Sequence, residues 1–400
     1  MNSYERALEL QSELIENRRW FHQTAEVGLD MPKAKAYVME KLAEYGLEPK
    51  ECGAGVTATL GKGGKTLLLR ADMDALPMAE ESGLPFACPT GQSAHTCGHD
   101  FHAAMLLTAA KLLKEREQEL KGTILFMFQP AEEPLIGCRD MLDHGLLDGC
   151  KPDAALAVHV STGALQPGAY LYNNAGDAMM FSVDGFTIHI HGRGSHGAYP
   201  HQSIDPINIG VHIHLALQGL VARETNPSVP CALTIGQFTA GTAGNIIPET
   251  AELRGSARTT DPETQKMLVR RLDEVCRSTA EAFGGTAEVE WTCQVPPLIC
   301  DPKVVNDMVG FVQELPIPGL TGYNGIHANA SEDFALIAAQ IPSAYLYLPA
   351  GFPDERGQYA AHNPKAQFNE DVLPLGAAVL SHCAVRWLQT HGAEQEEDDA

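Results

Sequence analysis

Long hydrophobic runs and positive charge are both scarce in this 400-residue sequence. No stretch approaches the ~18 apolar residues of a membrane span, and the first twenty residues lack the apolar core of a signal peptide. Lysine and arginine number 28 against 51 acidic residues, which gives a formal net charge of -23. This balance argues against nucleic acid or an anionic membrane surface as a main partner. Because neither a signal peptide nor a membrane span is indicated, we expect a cytoplasmic protein.

The sequence also lacks repeats, low-complexity linkers and a disulfide framework. Its ten cysteines are scattered through a chain far longer than the small domains that depend on disulfides, which favours a reducing compartment. Four hundred residues exceed what one hydrophobic core usually organises, so we expect two domains. The last eight residues, 393–400, read AEQEEDDA and predict a solvated, disordered acidic tail.

Strand-like runs alternate with helical segments in both outer parts of the chain. These runs are apolar almost throughout, as in a parallel sheet that is covered on both faces. They are Thr66–Arg70, Thr123–Gln129, Ala154–Val158 and Ser343–Leu348, and a closing helix is expected at Asp371–Gln389. The alternation predicts an α/β domain formed by residues 1–181 and 295–392.

Residues 182–294 have a different pattern, in which strands are half exposed. Phe186, Ile188 and Ile190 alternate with polar residues, as a strand with one buried face requires. A capping box from Thr260 to Glu263 predicts the start of the second helix of this segment. The full order, strand-helix-strand-strand-helix-strand, predicts an inserted α+β domain of ferredoxin-like topology.

The densest group of polar side chains is His95-Thr96-Cys97-Gly98-His99-Asp100-Phe101-His102, which opens a helix. Cys97 and His99 are two residues apart, close enough to converge on one metal ion from an irregular turn. Asp100 either caps the helix or orients a ligating imidazole. Taken alone, the segment also fits a single catalytic or buried thiol among surface histidines.

A pair of carboxylates, Glu132 and Glu133, directly follows the apolar run Thr123–Gln129. Ligand sites in open parallel sheets lie beyond the carboxyl ends of strands. Adjacent carboxylates on an irregular segment can divide their roles between a metal ion and the attacking water. Without other evidence, the pair also fits a solvated acidic loop.

Further candidate ligands occupy similar positions. His159 follows the run Ala154–Val158, and His362 lies in Ala361-His362-Asn363-Pro364. Asp72 and Asp74 follow the run Thr66–Arg70, where they suit either the support of ligands or a capped turn. Each histidine alone is more typical of a structural residue, but several such sites at strand ends favour a metal centre.

Together these segments resemble the family of metallopeptidase-like amidohydrolases that includes aminoacylases, hippurate hydrolases and auxin-conjugate hydrolases. The matching segments follow in order along nearly the whole chain: Arg18-Arg19-Trp20-Phe21-His22, Arg70–Pro77, His95–His102, Gln129–Glu133, Gly192–Pro200, Asn245–Pro248 and Ser331–Phe334. The resemblance implies a di-metal peptidase-like catalytic domain with an inserted lid and dimerisation domain at 182–294. It therefore also implies a homodimer or a higher homo-oligomer.

The resemblance further implies two divalent metal ions and the residues that hold them. The ligands would be Cys97, His99, Glu133, His159 and His362, with Asp74 as a supporting carboxylate and Glu132 as the general base. A thiolate, a carboxylate and three imidazoles suit zinc, and manganese or cobalt are compatible with this set. The metals would polarise the scissile carbonyl and lower the pKa of a water molecule, whose proton Glu132 would pass to the leaving amine.

In the insert, the resemblance gives a catalytic role to His196 and substrate-binding roles to Asn245 and Arg258. His196 matches a histidine that reaches the active site of a partner subunit and stabilises the tetrahedral oxyanion. Without the family, an exposed histidine in a glycine-rich turn is the simpler interpretation. Arg258 follows the apolar Ala257 on its strand, and its guanidinium suits the free carboxylate of an N-acyl amino acid.

The implied function is metal-dependent hydrolysis of N-acyl amino acids to a carboxylic acid and a free amino acid. A carboxypeptidase or dipeptidase with the same chemistry is the nearest alternative. A metal-binding regulatory protein without turnover is disfavoured, because Glu132 stands beside a full set of ligands. A thiol enzyme centred on Cys97 would keep its activity after chelation, which we do not expect.

Overall fold

The structure is a computed structural model that describes residues 2–392, so the predicted acidic tail lies outside the described residues. The helices are α1 (Ser3–Glu9), α2 (Gln11–Thr24), α3 (Pro32–Glu44), α4 (His99–Glu115), α5 (Gly137–Asp143), α6 (Pro206–Gly219), α7 (Pro262–Ala282), α8 (Pro302–Gln313), α9 (Ala335–Ala338) and α10 (Leu373–His391). The strands are β1 (Lys50–Cys52), β2 (Gly55–Gly61), β3 (Thr66–Asp72), β4 (Thr123–Gln129), β5 (Ala154–Ser161), β6 (Ala169–Tyr172), β7 (Ala178–Met180), β8 (Val183–His191), β9 (Ser195–His196), β10 (Cys231–Ala240), β11 (Ile246–Ile247), β12 (Thr250–Thr259), β13 (Thr286–Val295), β14 (Leu298–Ile299), β15 (Thr321–Asn324) and β16 (Ser343–Pro349). No helix within residues 2–392 combines the length and the apolarity that crossing a membrane requires.

The described residues form two compact units. The larger unit contains residues 2–177, 299–327 and 336–392, and the smaller unit contains Ala178–Leu298 and Ala328–Ala335. The insert expected from the sequence, 182–294, lies inside the main segment of the smaller unit, four residues from each of its ends.

The larger unit contains an eight-stranded sheet in the order β1-β2-β4-β3-β5-β16-β6-β15. The four apolar runs of the sequence form its centre, where β4, β3, β5 and β16 are parallel neighbours. β2 pairs antiparallel with both β1 and β4, and β6 pairs antiparallel with β16. The α/β fold class is confirmed, and the sheet becomes mixed towards both edges.

Burial of the central strands explains why their sequences do not alternate. Leu67, Leu68 and Leu69 on β3 are each 0% exposed. Because successive side chains of a strand point to opposite faces, both faces of β3 are covered. The carboxyl ends of β3, β4 and β5 therefore emerge at one edge of a fully packed sheet, where ligands bind in open α/β folds.

Apart from short strands such as β9 and β11, the elements of the smaller unit follow in the order β8-α6-β10-β12-α7-β13. Its antiparallel sheet has the order β10-β12-β8-β13, as expected of a ferredoxin-like sandwich. Its core includes Ile188, Ile213, Leu253 and Leu272.

The start of helix α7 differs from the expectation. Its N-cap is Asp261, whose carboxylate accepts the Thr264 N–H, and Pro262 occupies the first helical turn. The capping box from Thr260 to Glu263 was therefore wrong by one residue, because Asp261 satisfies the free N–H in its place.

One buried carboxylate in the smaller unit makes its stability depend on pH. Asp184, at the start of β8, is 1% exposed, and its oxygens accept hydrogen bonds from the Gln265 amide at 3.1 and 3.0 Å. Burial raises the pKa of Asp184 from 3.8 to about 6. The folded state therefore binds this proton more tightly than the unfolded chain does. The resulting stability is fully present below about pH 4 and is lost as the pH rises through 6.

Replacing Asp184 with asparagine removes this ionisation. Between pH 5 and pH 7.5 we expect the free energy of unfolding of the wild type to fall by about 1 kcal/mol more than that of Asp184→Asn. Calorimetric unfolding at the two pH values measures the difference. The control is Asp273→Asn on α7, a carboxylate whose side chain is 48% exposed and pairs with Arg277 at the surface, and this variant should keep the wild-type pH dependence. Identical pH dependence in Asp184→Asn and the wild type would contradict the prediction.

Candidate active site

Asp74, which follows β3, joins two loops of the larger unit. Its Oδ1 accepts the Glu132 N–H at 3.0 Å, and its Oδ2 accepts the Glu133 N–H at 3.1 Å. Nδ1 of His99 lies 3.0 Å from the Asp74 carbonyl oxygen and 3.3 Å from Oδ1. A carbonyl oxygen can only accept, so Nδ1 of His99 donates a proton and Nε2 is turned away from Asp74. Asp74 therefore positions three of the residues that the sequence singles out.

The turn before α4 depends on glycine at position 98. Gly98 has a φ of 96°, and a Cβ there would collide with the side chain of Val160. Glycine adopts this left-handed conformation at little cost, so the chain can reverse immediately before His99. This reversal lets Cys97 and His99 face the same space.

Asp100 does not cap helix α4, because the helix has Gly98 as its N-cap and no side-chain cap. Its carboxylate instead lies 2.8 Å from Nε of Arg18 and 2.8 Å from Nδ1 of His22. Burial alone would raise the pKa of Asp100, but the Arg18 guanidinium and His22 outweigh it and the pKa is lowered. The capping interpretation was wrong, and Asp100 instead anchors the first turn of α4 to α2.

The structure brings together all five predicted metal ligands. Cys97, His99 and His159 offer ligand atoms within 4.8 Å of one another, and so do Cys97, Glu133 and His362. Sγ of Cys97 lies 3.6 Å from Nε2 of His159, and Oε2 of Glu133 lies 3.4 Å from Nε2 of His362. The two groups overlap at Cys97.

Glu132 stands at the edge of this cluster and is 7% exposed. Its Oε2 lies 3.8 Å from Nε2 of His99, and Glu132, His99 and Glu133 form a third group of possible ligands. The geometry alone therefore allows Glu132 to act as a ligand or as a base beside the ligands.

Two buried atoms indicate that the cluster fits a cation. Within residues 2–392, Nε2 of His99 and Oε1 of Glu133 have no hydrogen-bonding partner, and they lie 3.8 Å apart. Leaving polar atoms unpaired in an interior is costly, and such exceptions in native proteins need a cause. A divalent cation that accepts both lone pairs provides one, because imidazole and carboxylate are ordinary metal ligands.

The electrostatics agree with this fit at His159, whereas the other ligands must lose a proton to a cation. Burial lowers the pKa of His99, but the charges of Asp72 and Cys97 outweigh it and raise this pKa well above its usual value. Burial lowers the pKa of His159 well below its usual value, so the ring is neutral and can offer a lone pair. Burial raises the pKa of Cys97 to about 12 and also raises the pKa of Glu133. A bound cation opposes the last two shifts, because it favours the thiolate and the carboxylate.

Three residues without the freedom of glycine have left-handed backbones around the cluster. Ala131 has a φ of 50°, Leu135 a φ of 60° and His362 a φ of 67°. Such conformations are uncommon for residues with a Cβ and are concentrated at functional sites. Two of them flank the Glu132-Glu133 pair and the third is a predicted ligand.

The predicted residues of the smaller unit are not all in contact. β9 pairs with β11 in the register His196↔Ile246, and the Gly197 N–H donates to the Asn245 carbonyl at 2.8 Å, so His196 and Asn245 are neighbours. Nδ1 of His196 accepts the Ala198 N–H at 3.0 Å. In the neutral ring the proton is therefore on Nε2, which can donate.

Arg258, on β12, is half-buried. Its Nη1 donates to Oγ of Ser331 at 2.5 Å. The sequence places Arg258 on the polar face of its strand, and the structure adds Ser331 as the residue that fixes one nitrogen of the guanidinium.

Sequence reasoning missed two supporting groups in the larger unit. Arg18 and His22, which grip Asp100, are four residues apart on one face of α2, a spacing that could have signalled them. His102 and Asp72 form a second buried pair at 2.5 Å. From the sequence, Asp72 suits either the support of metal ligands or a capped turn. Nothing in the local sequence distinguishes His102 from a ligand.

Comparison with known proteins gives a consistent picture. Residues 68–386 match the model of Peptidase family M20/M25/M40. The chain is 33% identical to the N-acetyl-L-cysteine deacetylase of Bacillus subtilis over 393 residues, covering 96% of this chain and 90% of that protein. It is 32% identical to thermostable carboxypeptidase 2 of Saccharolobus solfataricus over 388 residues, covering 95% and 96% of the two chains.

A solved structure extends the likeness to three dimensions. A dinuclear metal-binding peptidase of the M20 family from Bacillus subtilis superposes with a TM-score of 0.77 and 29% identity, over 96% of this chain and 99% of that one. The similarity thus extends over residues of both units. By the match of the family model and by identity over nearly its full length, the chain belongs to peptidase family M20/M25/M40 and is a hydrolase of amide bonds.

Proposed function

We propose that this protein is a metal-dependent amidohydrolase that cleaves N-acyl amino acids to a carboxylic acid and a free amino acid. The observation that carries the proposal is the convergence of Cys97, His99, Glu133, His159 and His362 around buried atoms without partners. The deacetylase relative supports an N-acyl amino acid as the substrate, and the dinuclear peptidase supports two metal ions.

The five residues would hold two divalent cations, and zinc suits them best because the set mixes sulfur, nitrogen and oxygen. Manganese or cobalt would also be accepted by the nitrogen and oxygen ligands. Cys97 belongs to both overlapping groups, which favours it as the ligand shared by the two ions. Since a ligating thiol must stay reduced, we also favour the cytoplasm as the location.

The metals would supply Lewis acidity, which polarises the scissile carbonyl and acidifies a water molecule. Glu132 takes a proton from the attacking water as the oxygen of that water bonds to the carbonyl carbon. Glu132 then delivers the proton to the amide nitrogen, and the carbon–nitrogen bond breaks. Its backbone is held by Asp74 Oδ1, which keeps the carboxylate beside His99. The acyl group leaves with the oxygen of water, and the amino acid leaves with the proton.

Replacing Glu132 with glutamine keeps its size and removes its basicity. We expect turnover to fall by about 100-fold or more, because general-base catalysis contributes on this scale, while the zinc content stays at the wild-type value. Metal analysis and steady-state kinetics measure the two quantities on the same preparation. Glu16→Gln, on α2, is the matched control and should leave both unchanged. Retained turnover in Glu132→Gln would refute its role as the base.

Arg258 would bind the free carboxylate of the amino acid. Its guanidinium is oriented by Ser331, and a planar fork matches a carboxylate with two hydrogen bonds. Asn245 would add a polar contact to the substrate from the strand pair that also carries His196.

Arg258→Ala should raise KM for N-acetyl and N-benzoyl amino acids by about 10- to 100-fold, because a hydrogen bond to a charged group is lost. The matched substrates are the same compounds with a carboxamide in place of the carboxylate, for which wild type and variant should be alike. Kinetics on both sets provide the test. An equal loss on both sets would contradict recognition of the carboxylate.

The carboxypeptidase relative keeps peptide hydrolysis open as the second candidate function. Acetyl- and benzoyl-amino acids should be compared with dipeptides under added zinc or manganese. Higher kcat/KM on the N-acyl compounds supports the first proposal, and higher kcat/KM on dipeptides supports the second.

We further propose that the smaller unit is a lid that also forms a homodimer. Helix α6 exposes an apolar stripe of Ile207, Val211 and Leu215, which are 39%, 44% and 61% exposed. Phe238, 40% exposed, lies on β10 at the edge of the neighbouring sheet. Exposed apolar side chains beside an unpaired sheet edge are typical of a protein–protein interface. In a homodimer with a two-fold axis, the same helix and sheet edge of a second copy would cover them.

In such a dimer, His196 would donate from Nε2 to the oxyanion in the partner's active site. An isolated heterodimer of a His196→Ala chain and a Glu132→Gln chain then contains one complete site and should recover about half of the wild-type turnover. The matched heterodimer joins a wild-type chain to a chain that carries both substitutions, and it should be inactive. If His196 acts within its own chain, the first heterodimer should be inactive and the second should keep about half of the wild-type turnover.

A further inference from the structure

His102 cannot serve as a metal ligand in this arrangement, although it shares a buried group of possible ligand atoms with Asp72 and His99. Nδ1 of His102 lies 2.5 Å from Oδ1 of Asp72, and Nε2 accepts the Val160 N–H at 2.8 Å. A backbone N–H can only donate, so the proton of His102 is on Nδ1 and points at Asp72. Both nitrogens are thus engaged, whereas Nε2 of His99 is not.

The Val160 N–H lies in the part of β5 that no longer pairs with β3. β5 pairs with β3 from Leu67↔Ala154 to Arg70↔Ala157, and within the described residues this ladder ends there. On its other side, β5 continues along β16 as far as Ser161. His102 reaches from α4 to supply the acceptor that the shorter strand does not provide.

Val160 is held by histidines at both of its backbone polar groups. Its N–H donates to His102, and its carbonyl accepts from Nδ1 of His159 at 2.5 Å. The proton on Nδ1 of His159 leaves Nε2 as the lone pair, and that atom lies 3.6 Å from Sγ of Cys97. The position of the Val160 backbone therefore fixes the direction in which His159 presents Nε2.

The support of His102 extends into the sheet. Oδ2 of Asp72 accepts from Nη1 of Arg70 at 2.6 Å, and Nε of Arg70 donates to Oε1 of Gln129 at 2.9 Å. Arg70, Asp72, Gln129 and His102 are each no more than 2% exposed. Charged side chains as deeply buried as Arg70 and Asp72 are held rigidly by their hydrogen-bonding partners. These contacts therefore fix the orientation of the His102 ring.

We infer that His102 is a positioning residue, which sets the orientation of His159 towards a metal ion by accepting the Val160 N–H. The inference rests on the proposed function, since it takes His159 to be a ligand. Both ring nitrogens of His102 are bonded within the protein, so the role is one of positioning and not of ligation. It acts on His159 through the Val160 N–H and through direct contact of the two rings, whose centroids lie 4.4 Å apart. The Asp72 carboxylate keeps the His102 ring in the tautomer that makes the hydrogen bond possible.

Two substitutions separate the two hydrogen bonds of His102. In His102→Gln, the side-chain oxygen comes near the place of Nε2 and can still accept the Val160 N–H. In His102→Asn, the shorter amide can donate to Asp72 but does not reach Val160. Leu106→Ala on α4, a buried residue whose truncation leaves a cavity, controls for loss of stability alone.

Zinc alone is the probe, and its affinity is measured by competition with a chelator. His102→Asn should weaken one of the two zinc sites by about 10- to 100-fold, as loss of a residue that orients a ligand does, while His102→Gln should stay near the wild type. The visible spectrum of the cobalt-loaded protein should change in His102→Asn and not in Leu106→Ala. Wild-type affinity in His102→Asn, or equal losses in both His102 variants, would overturn the inference.

His159→Gln separates this inference from the proposed ligand set. If His159→Gln loses zinc and His102→Asn does not, the positioning role fails and the ligand set stands. If His159→Gln keeps both zinc ions, the ligand assignment fails and the inference fails with it. Should His102→Asn not fold, amide exchange of the wild type decides: a slowly exchanging Val160 N–H supports the contact, and fast exchange overturns it.

Discussion

The carboxylate of Asp74 accepts the N–H groups of both Glu132 and Glu133, while His99 donates to the same residue. Two segments that are remote in sequence, one with Glu132 and Glu133 and one with His99, are therefore tied to Asp74 beyond the end of β3. The arrangement works because Asp74 is 1% exposed and water does not compete for its oxygens. Without the Asp74 carboxylate, the turn after β4 would lose the side chain that holds it against the first turn of α4. The candidate ligands on these two segments would then not be held close together.

The same principle recurs at two histidines of the cluster, each of which has one ring nitrogen used for support. His99 is fixed through Asp74 and His159 through the Val160 carbonyl, so each keeps Nε2 for another partner. This division follows from the chemistry of imidazole, whose two nitrogens point in fixed directions about the ring. The interior of the larger unit thus orients lone pairs as well as filling space.

The sequence predicted the elements whose pattern is strong and missed those that depend on distant partners. The run Thr123–Gln129 coincides with β4, because its apolar residues are buried on both faces. β5 extends beyond Val158 to Ser161, because pairing with β16 continues after the apolar run stops. β1, at one edge of the sheet, and β6, next to the strand at the other edge, are only three and four residues long, too short to give a pattern. Among the site residues, the cluster of ligands followed from motifs, whereas the role of Asp100 and the partners of His102 appear only when α2, β3 and β5 are in place.

Ala131, Leu135 and His362 keep left-handed backbones that glycine or asparagine would adopt more readily. The surrounding contacts hold these three residues in strained conformations, so the folded protein is less stable than it would be without the strain. A laboratory selection that rewards heat resistance alone would be drawn to these positions, since relieving the strain stabilises the fold. Such a selection would erode the placement of Glu132, Glu133 and His362 at the same time, so durability and turnover would be in direct competition at these three residues.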